Sequence, residues 1–438
     1  MGKRESGFRH GNHDGGNRKY IVGSIAAVLV IIAAIAVAAW VIYRDMNPSD
    51  QGQDTEHKQA AVQQDTDENR HEDSTDSSET EDVNGGAADS DIEEMLGDMT
   101  LEEKVCQLFM VTPEALTGVG TVTQAGTATQ EAVNAYPVGG VIYFSQNLQD
   151  PDQTRTMLEN TQRYAMERTG IPIFLSVDEE GGQVARVGSN PAFGVEKIGN
   201  MSDVGSRGDT QEAYEIGSTI GTYLSDLGFN MDAAPDTDVL TNPENQVVKY
   251  RSFGSDPELV ARMAAAELKG LNDQGIIGMY KHFPGHGGTT ADSHEGYAYV
   301  DDTQEELKSG AFIPFQDGID NGIQVIMVSH ISCPNVTGDN TPATLSEMMI
   351  TDILRGEMGF DGMVITDALN MGAITAQYSS SEAAVAALNA GADMLLMPED
   401  FQSAYKGVLS AVESGTVSEE RIDESVRRIL EVKVSLGK

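Results

Sequence analysis

Three patterns of apolar and polar positions follow one another along the chain. Residues 21–43 (IVGSIAAVLVIIAAIAVAAWVIY) carry no charge, and a helix of that length, rising 1.5 Å per residue, crosses a hydrocarbon core of about 30 Å. Residues 44–91 then hold almost no large apolar side chain (QDTDENRHEDSTDSSETEDVNGG is typical). Such a segment cannot bury enough surface to offset its ordering entropy and repels itself, so it reads as a disordered acidic tether. Residues 92–438 alternate short apolar runs with amphipathic stretches. The runs are 107–112 (QLFMVT), 139–144 (GGVIYF), 172–178 (PIFLSVD), 229–234 (FNMDAA), 276–282 (IIGMYKH), 324–330 (QVIMVSH), 362–367 (GMVITD) and 392–398 (ADMLLMP). They are rich in Val, Ile, Leu and Met without strict alternation, as strands covered on both faces are. Helical periodicity fills the intervals, as in 258–271 (ELVARMAAAELKGL). The fold class that follows is α/β: a (β/α)8 TIM-type barrel over 92–438, preceded by a transmembrane helix and the tether.

Charge refines this picture. Residues 1–20 carry Lys3, Arg4, Arg9, Arg18 and Lys19 against two acids, so the positive-inside rule makes 1–20 a cytoplasmic basic tail and puts everything after Tyr43 outside the cell membrane. Trp40 and Tyr43 sit where rings favour the headgroup level. The competing reading of the same run is a secretory signal removed by cleavage after Ala36-Val37-Ala38. Over the whole chain 28 Lys and Arg face 69 Asp and Glu, a net charge of −41. That leaves no basic field for nucleic acid. Two cysteines, Cys106 and Cys333, exclude a disulfide framework and a four-thiolate zinc site, and their apolar neighbours predict buried free thiols.

Candidate chemistry collects at the ends of the apolar runs: Asp178, Asp232, Lys281-His282, Ser329-His330 and Asp367. In a barrel those ends converge on one face, where a concave polar site is expected. The stretch 280–294 (YKHFPGHGGTTADSH) delivers Lys281 and His282 from a strand and then runs through a Gly-rich loop to Asp292-Ser293-His294. An Asp two residues before a His can fix its tautomer and stabilise the imidazolium, which makes a proton-transfer pair. A metal site on His282, His286 and His294 is the alternative, but the spacing matches no helical zinc signature and Lys281 would place a cation beside the ion; no metal and no cofactor are expected. Asp367, at the end of a rigid strand, suits a covalent nucleophile, or in isolation a helix N-cap.

Five motifs carry a family resemblance: SVDEEGGQVARV (176–187), YRSFGSDP (250–257), KHFPGHG (281–287), ADSH (291–294) and VITDAL (364–369). Together with MTLEEKV (99–105) they resemble the β-N-acetylglucosaminidases of glycoside hydrolase family 3, in family order across 92–438. The resemblance implies that Asp367 attacks the anomeric carbon, that His294 is the general acid/base and that Asp292 orients it. It further implies that Asp178, Arg186, Arg251, Lys281 and His282 hydrogen-bond the terminal sugar in the −1 subsite. Many family β-glucosidases take their proton donor from a second domain; this chain, ending after the barrel, is expected to supply it from the His/Asp loop.

The expected function is therefore exo-cleavage of terminal β-linked GlcNAc, with retention, from cell-wall-derived or other oligosaccharides. The only tryptophan is Trp40, so the folded domain is expected to offer a tight, polar pocket for one sugar. Two alternatives stay open. A phosphorylase on the same barrel is one, since a His donor does not repel phosphate as a carboxylate would. A catalytically inactive, tethered sugar-binding protein is the other.

Overall fold

The computed structural model describes residues 85–289 and 298–436, with side chains from Ser90 onward. The expected basic tail, membrane span and most of the tether lie outside the described residues, as does the segment 290–297. Among the described residues no helix is long and apolar enough to cross a membrane.

Eight parallel strands occupy the eight apolar runs: β1 (Phe109–Val111), β2 (Gly140–Tyr143), β3 (Phe174–Val177), β4 (Met231–Asp232), β5 (Tyr280–Phe283), β6 (Val325–Val328), β7 (Met363–Thr366) and β8 (Leu395–Leu396). Five of them pair in the order β8-β1-β2-β3-β4 and three as β7-β6-β5. Single parallel bridges join the two groups: Met231 to Ile277 and Asp236 to Lys281 on one side, Ile365 to Met394 on the other. Each strand therefore neighbours the next in sequence and β8 returns to β1, which closes the ring. Burial is complete along β1, β2, β3, β5, β6 and β7. This is why the runs lack a polar alternate position.

Helices cover the ring: α1 (Thr127–Ala135), α2 (Pro151–Thr169), α3 (Thr210–Leu227), α4 (Pro257–Asn272), α5 (Ile313–Asp320), α6 (Met348–Glu357), α7 (Ser380–Ala390), α8 (Phe401–Glu413) and α9 (Glu419–Ser435). Their starts are written locally. Asp150 and Asp256 cap α2 and α4 ahead of a proline, and Ser379 with Glu382 forms a capping box on α7, each satisfying amides the first turn leaves unpaired. Their apolar stripes and the outer faces of the strands make one continuous core. Cys106 and Cys333 are free and buried in it.

One boundary moves. A helix spans Gly85–Asp98, so the last residues assigned to the tether, 85–91, are helical. Ile92 and Leu96 of that helix are buried, and the helix extends from this packed end toward its N-terminus.

Candidate active site

The C-terminal ends of the strands enclose a cavity of about 270 Å³, below the lower end of the range for drug-sized ligands. Asp178, Arg186, Arg251, Lys281, His282 and Asp367 all line it. The six arrive from β3, from the hairpin after it, from the loop after β4, and from β5 and β7. Asp367 is carried out of β7 by an N–H that donates to Val328 O (2.8 Å), and its Oδ1 accepts the Ala368 N–H (2.7 Å). Asp292 and His294 lie outside the described residues.

A third carboxylate lining the cavity, Glu180, is the charge centre of the wall and was not singled out from the sequence. Arg251 donates to it as a fork, Nε to Oε2 and Nη2 to Oε1, both 2.7 Å. Lys281 Nζ reaches Glu180 Oε1 at 2.5 Å and Asp178 Oδ1 at 3.1 Å, and Arg186 Nη2 donates to Asp178 Oδ2 at 3.2 Å. Burial alone would raise the pKa of Glu180, but Arg251 and Lys281 outweigh it and hold the carboxyl well below the usual range. Burial alone would depress Lys281, but Glu180 and Asp178 outweigh it and keep the ammonium charged. Each buried charge thus has its partner, the condition under which desolvation is tolerable.

His282 Nδ1 lies 2.7 Å from Asp238 Oδ2, and its Nε2 lies 3.3 Å from Arg251 Nη2. Arginine only donates, so Nε2 accepts and the proton sits on Nδ1. Burial, then the Arg251 charge, push the pKa of His282 down to about 4, and the ring is neutral near pH 7. Asp238 also accepts the His286 N–H at 2.5 Å and so fixes the KHFPGHG loop. A Cβ on Gly287 of that loop would stand 1.9 Å from Val239 O, and only glycine allows this approach.

Arg186 is placed by a second acid that sequence reasoning missed, Glu179. Its Oε2 accepts the N–H groups of Arg186 (2.6 Å) and Val187 (2.8 Å), and its Oε1 accepts Gly188 N–H (2.7 Å) and Tyr223 O–H (2.9 Å). The hairpin pairing Glu179–Gly181 with Val184–Ala185 turns through Gly181 and Gly182 at φ 85° and 53°, conformations that side chains disfavour. The signal for both acids was present: two carboxylates directly after an apolar run and before a Gly-Gly pair.

Three expected members of the site are elsewhere. Asp232 is the register partner of Val177, so strand alternation turns it to the face opposite Asp178; its Oδ1 accepts the Glu179 N–H (2.9 Å). Ser329 Oγ donates to Phe283 O at 3.1 Å. His330 contacts Thr344 Oγ1 through Nδ1 (2.8 Å) and Ala368 O through Nε2 (2.9 Å). None of the three lines the cavity; they hold the backbone that presents it.

Metal ligation is tested by the donors themselves. The described members of the histidine set, His282 and His286, spend Nδ1 on Asp238 and Thr289 respectively. Asp236, Asp238 and His282 do bring one ligand atom each within 4.8 Å of one another. Asp238 is already engaged by His282 and His286, however, and Asp236 Oδ2 faces Arg251 Nε at 3.3 Å. A cation there would sit against a guanidinium, so the set does not fit a metal and reads as charge balance for Arg251.

Residues 100–432 match the glycosyl hydrolase family 3 N-terminal domain, and the chain belongs to that family. A β-hexosaminidase A of Pseudoalteromonas piscicida is 33% identical over 331 residues, 70% of this chain and 55% of the relative. The β-hexosaminidase LpqI of Mycobacterium tuberculosis is 30% identical over 345 residues, 76% of this chain and 82% of the relative. A family 3 β-N-acetylglucosaminidase structure from Paenibacillus sp. superposes with a TM-score of 0.73 at 40% identity, covering 77% of this chain and 63% of the other. The chain thus spans little more than half of the first relative and under two thirds of the Paenibacillus protein.

Proposed function

We propose that the chain is an exo-acting, retaining β-N-acetylglucosaminidase that releases terminal β-linked GlcNAc from oligosaccharides. One observation carries this reading: Asp367, an acid on a strand end, faces a cavity of about 270 Å³ whose facing wall consists of ion-paired donors and acceptors suited to sugar hydroxyls. In this reading Asp367 forms the covalent glycosyl intermediate through an oxocarbenium-like transition state. Asp178, Arg186, Arg251, Lys281 and His282 hold the non-reducing sugar. His294, oriented by Asp292, protonates the leaving oxygen and then deprotonates water. An imidazole among carboxylates favours its charged, donating form, and its ordinary pKa of about 6.5 suits both duties near neutrality. No step needs a metal or cofactor.

The same reading puts the domain outside the cell membrane, anchored through 21–43 with 1–20 in the cytoplasm and 44–84 as spacer. Its support is the uncharged run and the basic residues ahead of it. Membrane fractionation with protease accessibility checks this, and recovery of the chain beginning after Ala38 would favour the cleaved signal instead.

Trapping with a 5-fluoro GlcNAc glycosyl fluoride, which keeps the C2 acetamido group, followed by peptide mass analysis, tests the chemistry: the label is expected on Asp367, and a label elsewhere or none overturns the assignment. His294→Ala should spare aryl glycosides with good leaving groups and lose about 10²–10⁴-fold on saccharides. Equal losses on both would remove His294 from the acid role. Sugar phosphate formed in phosphate buffer would move the enzyme to the phosphorylase class.

A further inference from the structure

Among the described residues, Met397 is the non-glycine with a positive φ, 46°. That region is disfavoured for a side chain by the contact of Cβ with the following carbonyl, and such residues persist where their surroundings fix them. Here the surroundings do. The Met397 N–H donates to Met110 O at 2.8 Å, and the preceding Leu396 O accepts the Leu369 N–H at 2.9 Å. The result is that the Met397 side chain lines the cavity beside Met327, Met371 and Leu396.

The cavity is divided. Charged groups come from β3 with its hairpin, the loop after β4, and β5. Apolar ones come from β6, β8 and β2, where Ile142 stands, and from the turn after β7, where Met371 follows the polar Asn370. Asp367 stands on the apolar side, because β7 pairs with β6 and bridges to Met394 beside β8, and the charged groups line the same cavity from the other strands. In a pyranose whose C1 faces Asp367, C2 is the adjacent carbon and its substituent stays beside β7. The hydroxyls at C3, C4 and C6 point away, toward the ion-paired wall. A methyl group gains from apolar contact, and three thioether chains can close around it because they are flexible and polarisable.

We propose that Met397 is a specificity-determining residue, forming with Met371 and Met327 an apolar seat for the methyl of an acetamido group at C2. The proposal rests on the reading of the site as a β-N-acetylglucosaminidase and adds which wall recognises the acetyl group.

The test compares kcat/KM for aryl β-GlcNAc and aryl β-glucoside in the purified full chain and in Met397→Gly, Met397→Ala and Met397→Leu. Both truncations should lose about 10-fold or more of the GlcNAc-over-glucose ratio, mainly through KM for the GlcNAc substrate, and the Leu variant should restore most of it. Met397→Gly, free of the Cβ contact, should melt no lower than Met397→Ala, which separates lost recognition from misfolding. A wild type that prefers GlcNAc while both truncations keep its ratio overturns the Met397 assignment alone. A wild type that cleaves neither substrate, or prefers the glucoside, overturns this proposal together with the reading beneath it.

Discussion

The barrel buries ion pairs at both ends, and the two clusters are built differently. At the entrance to β8, Asp393 is fully buried and accepts from Arg355 (2.6 Å), Arg421 and Arg428 (3.3 Å each), Ser425 (2.9 Å) and the Val364 N–H (2.9 Å). The surplus guanidinium donors go to carbonyls: Arg355 to Gly391, Phe360 and Gly362, Arg421 to Leu388 and Ala392. Three cations share one buried anion, and their spare donors end mostly in backbone carbonyls, with Ser425 Oγ taking one from Arg421 and the exposed Asp361 carboxylate one from Arg428. At the opposite end Asp178, Glu180, Asp236 and Asp238 outnumber Arg186, Arg251 and Lys281, and all of these except Asp236 and Asp238 line a cavity. Buried ion pairs serve as a joint where neighbouring protein groups absorb the donors, and as a site where polar atoms are left to face a ligand.

Four measurements bear on that contrast. Asp367→Asn should cut kcat/KM on aryl β-GlcNAc by about 10⁴-fold or more with little change in Tm; a matching collapse of Tm would deny that the upper cluster is separable from the fold. Asp393→Ala should do the reverse, costing about 3–5 kcal/mol of stability in urea unfolding, as expected when one partner of a buried pair is removed. The folded fraction should retain its kcat. Glu180→Gln sits between: neutralising the centre of the upper wall should lower kcat/KM by about 10²-fold and stability by about 1–3 kcal/mol. A purely structural effect would leave the KM of folded enzyme untouched.

The smallest effect concerns Lys433, near the lower cluster. Its Nζ donates to Gln107 Oε1 (2.7 Å) and stands 5.1 Å above the Phe174 ring. Burial pushes its pKa down to about 7 from the ordinary 10.5. Between pH 7 and 10.5 the unfolded chain therefore holds the extra proton, and this residue makes stability rise with pH, by up to about 1.4 kcal/mol per unit. Lys433→Met should flatten that slope in denaturant titrations at several pH values.

The ring of strands was legible because burial on both faces removes every reason for a polar residue inside a run, and all eight runs became strands. Six residues that line the cavity were picked out because they end runs or sit in long, unusual motifs, and the roles expected of all but Asp367 rested on a resemblance. Glu179 and Glu180 were passed over despite their place between an apolar run and a Gly-Gly pair, since a hairpin turning back through Gly181 and Gly182 has no counterpart in a simple strand-then-helix reading. Asp236 and Asp238 escaped because β4 is only two residues long and the carboxylates follow it in irregular backbone. Asp232 was overcalled for the opposite reason: lying near a strand end says nothing of parity, and parity decides which face a side chain takes.

Glu179 holds four donors on two oxygens, so the stretch that carries Arg186 is positioned by the protein's own contacts. Whatever molecule enters meets a guanidinium already aimed, and association loses little conformational freedom on that side. A shortened side chain at position 179 would leave every contacting group in place and still weaken binding, through disorder in the unbound protein.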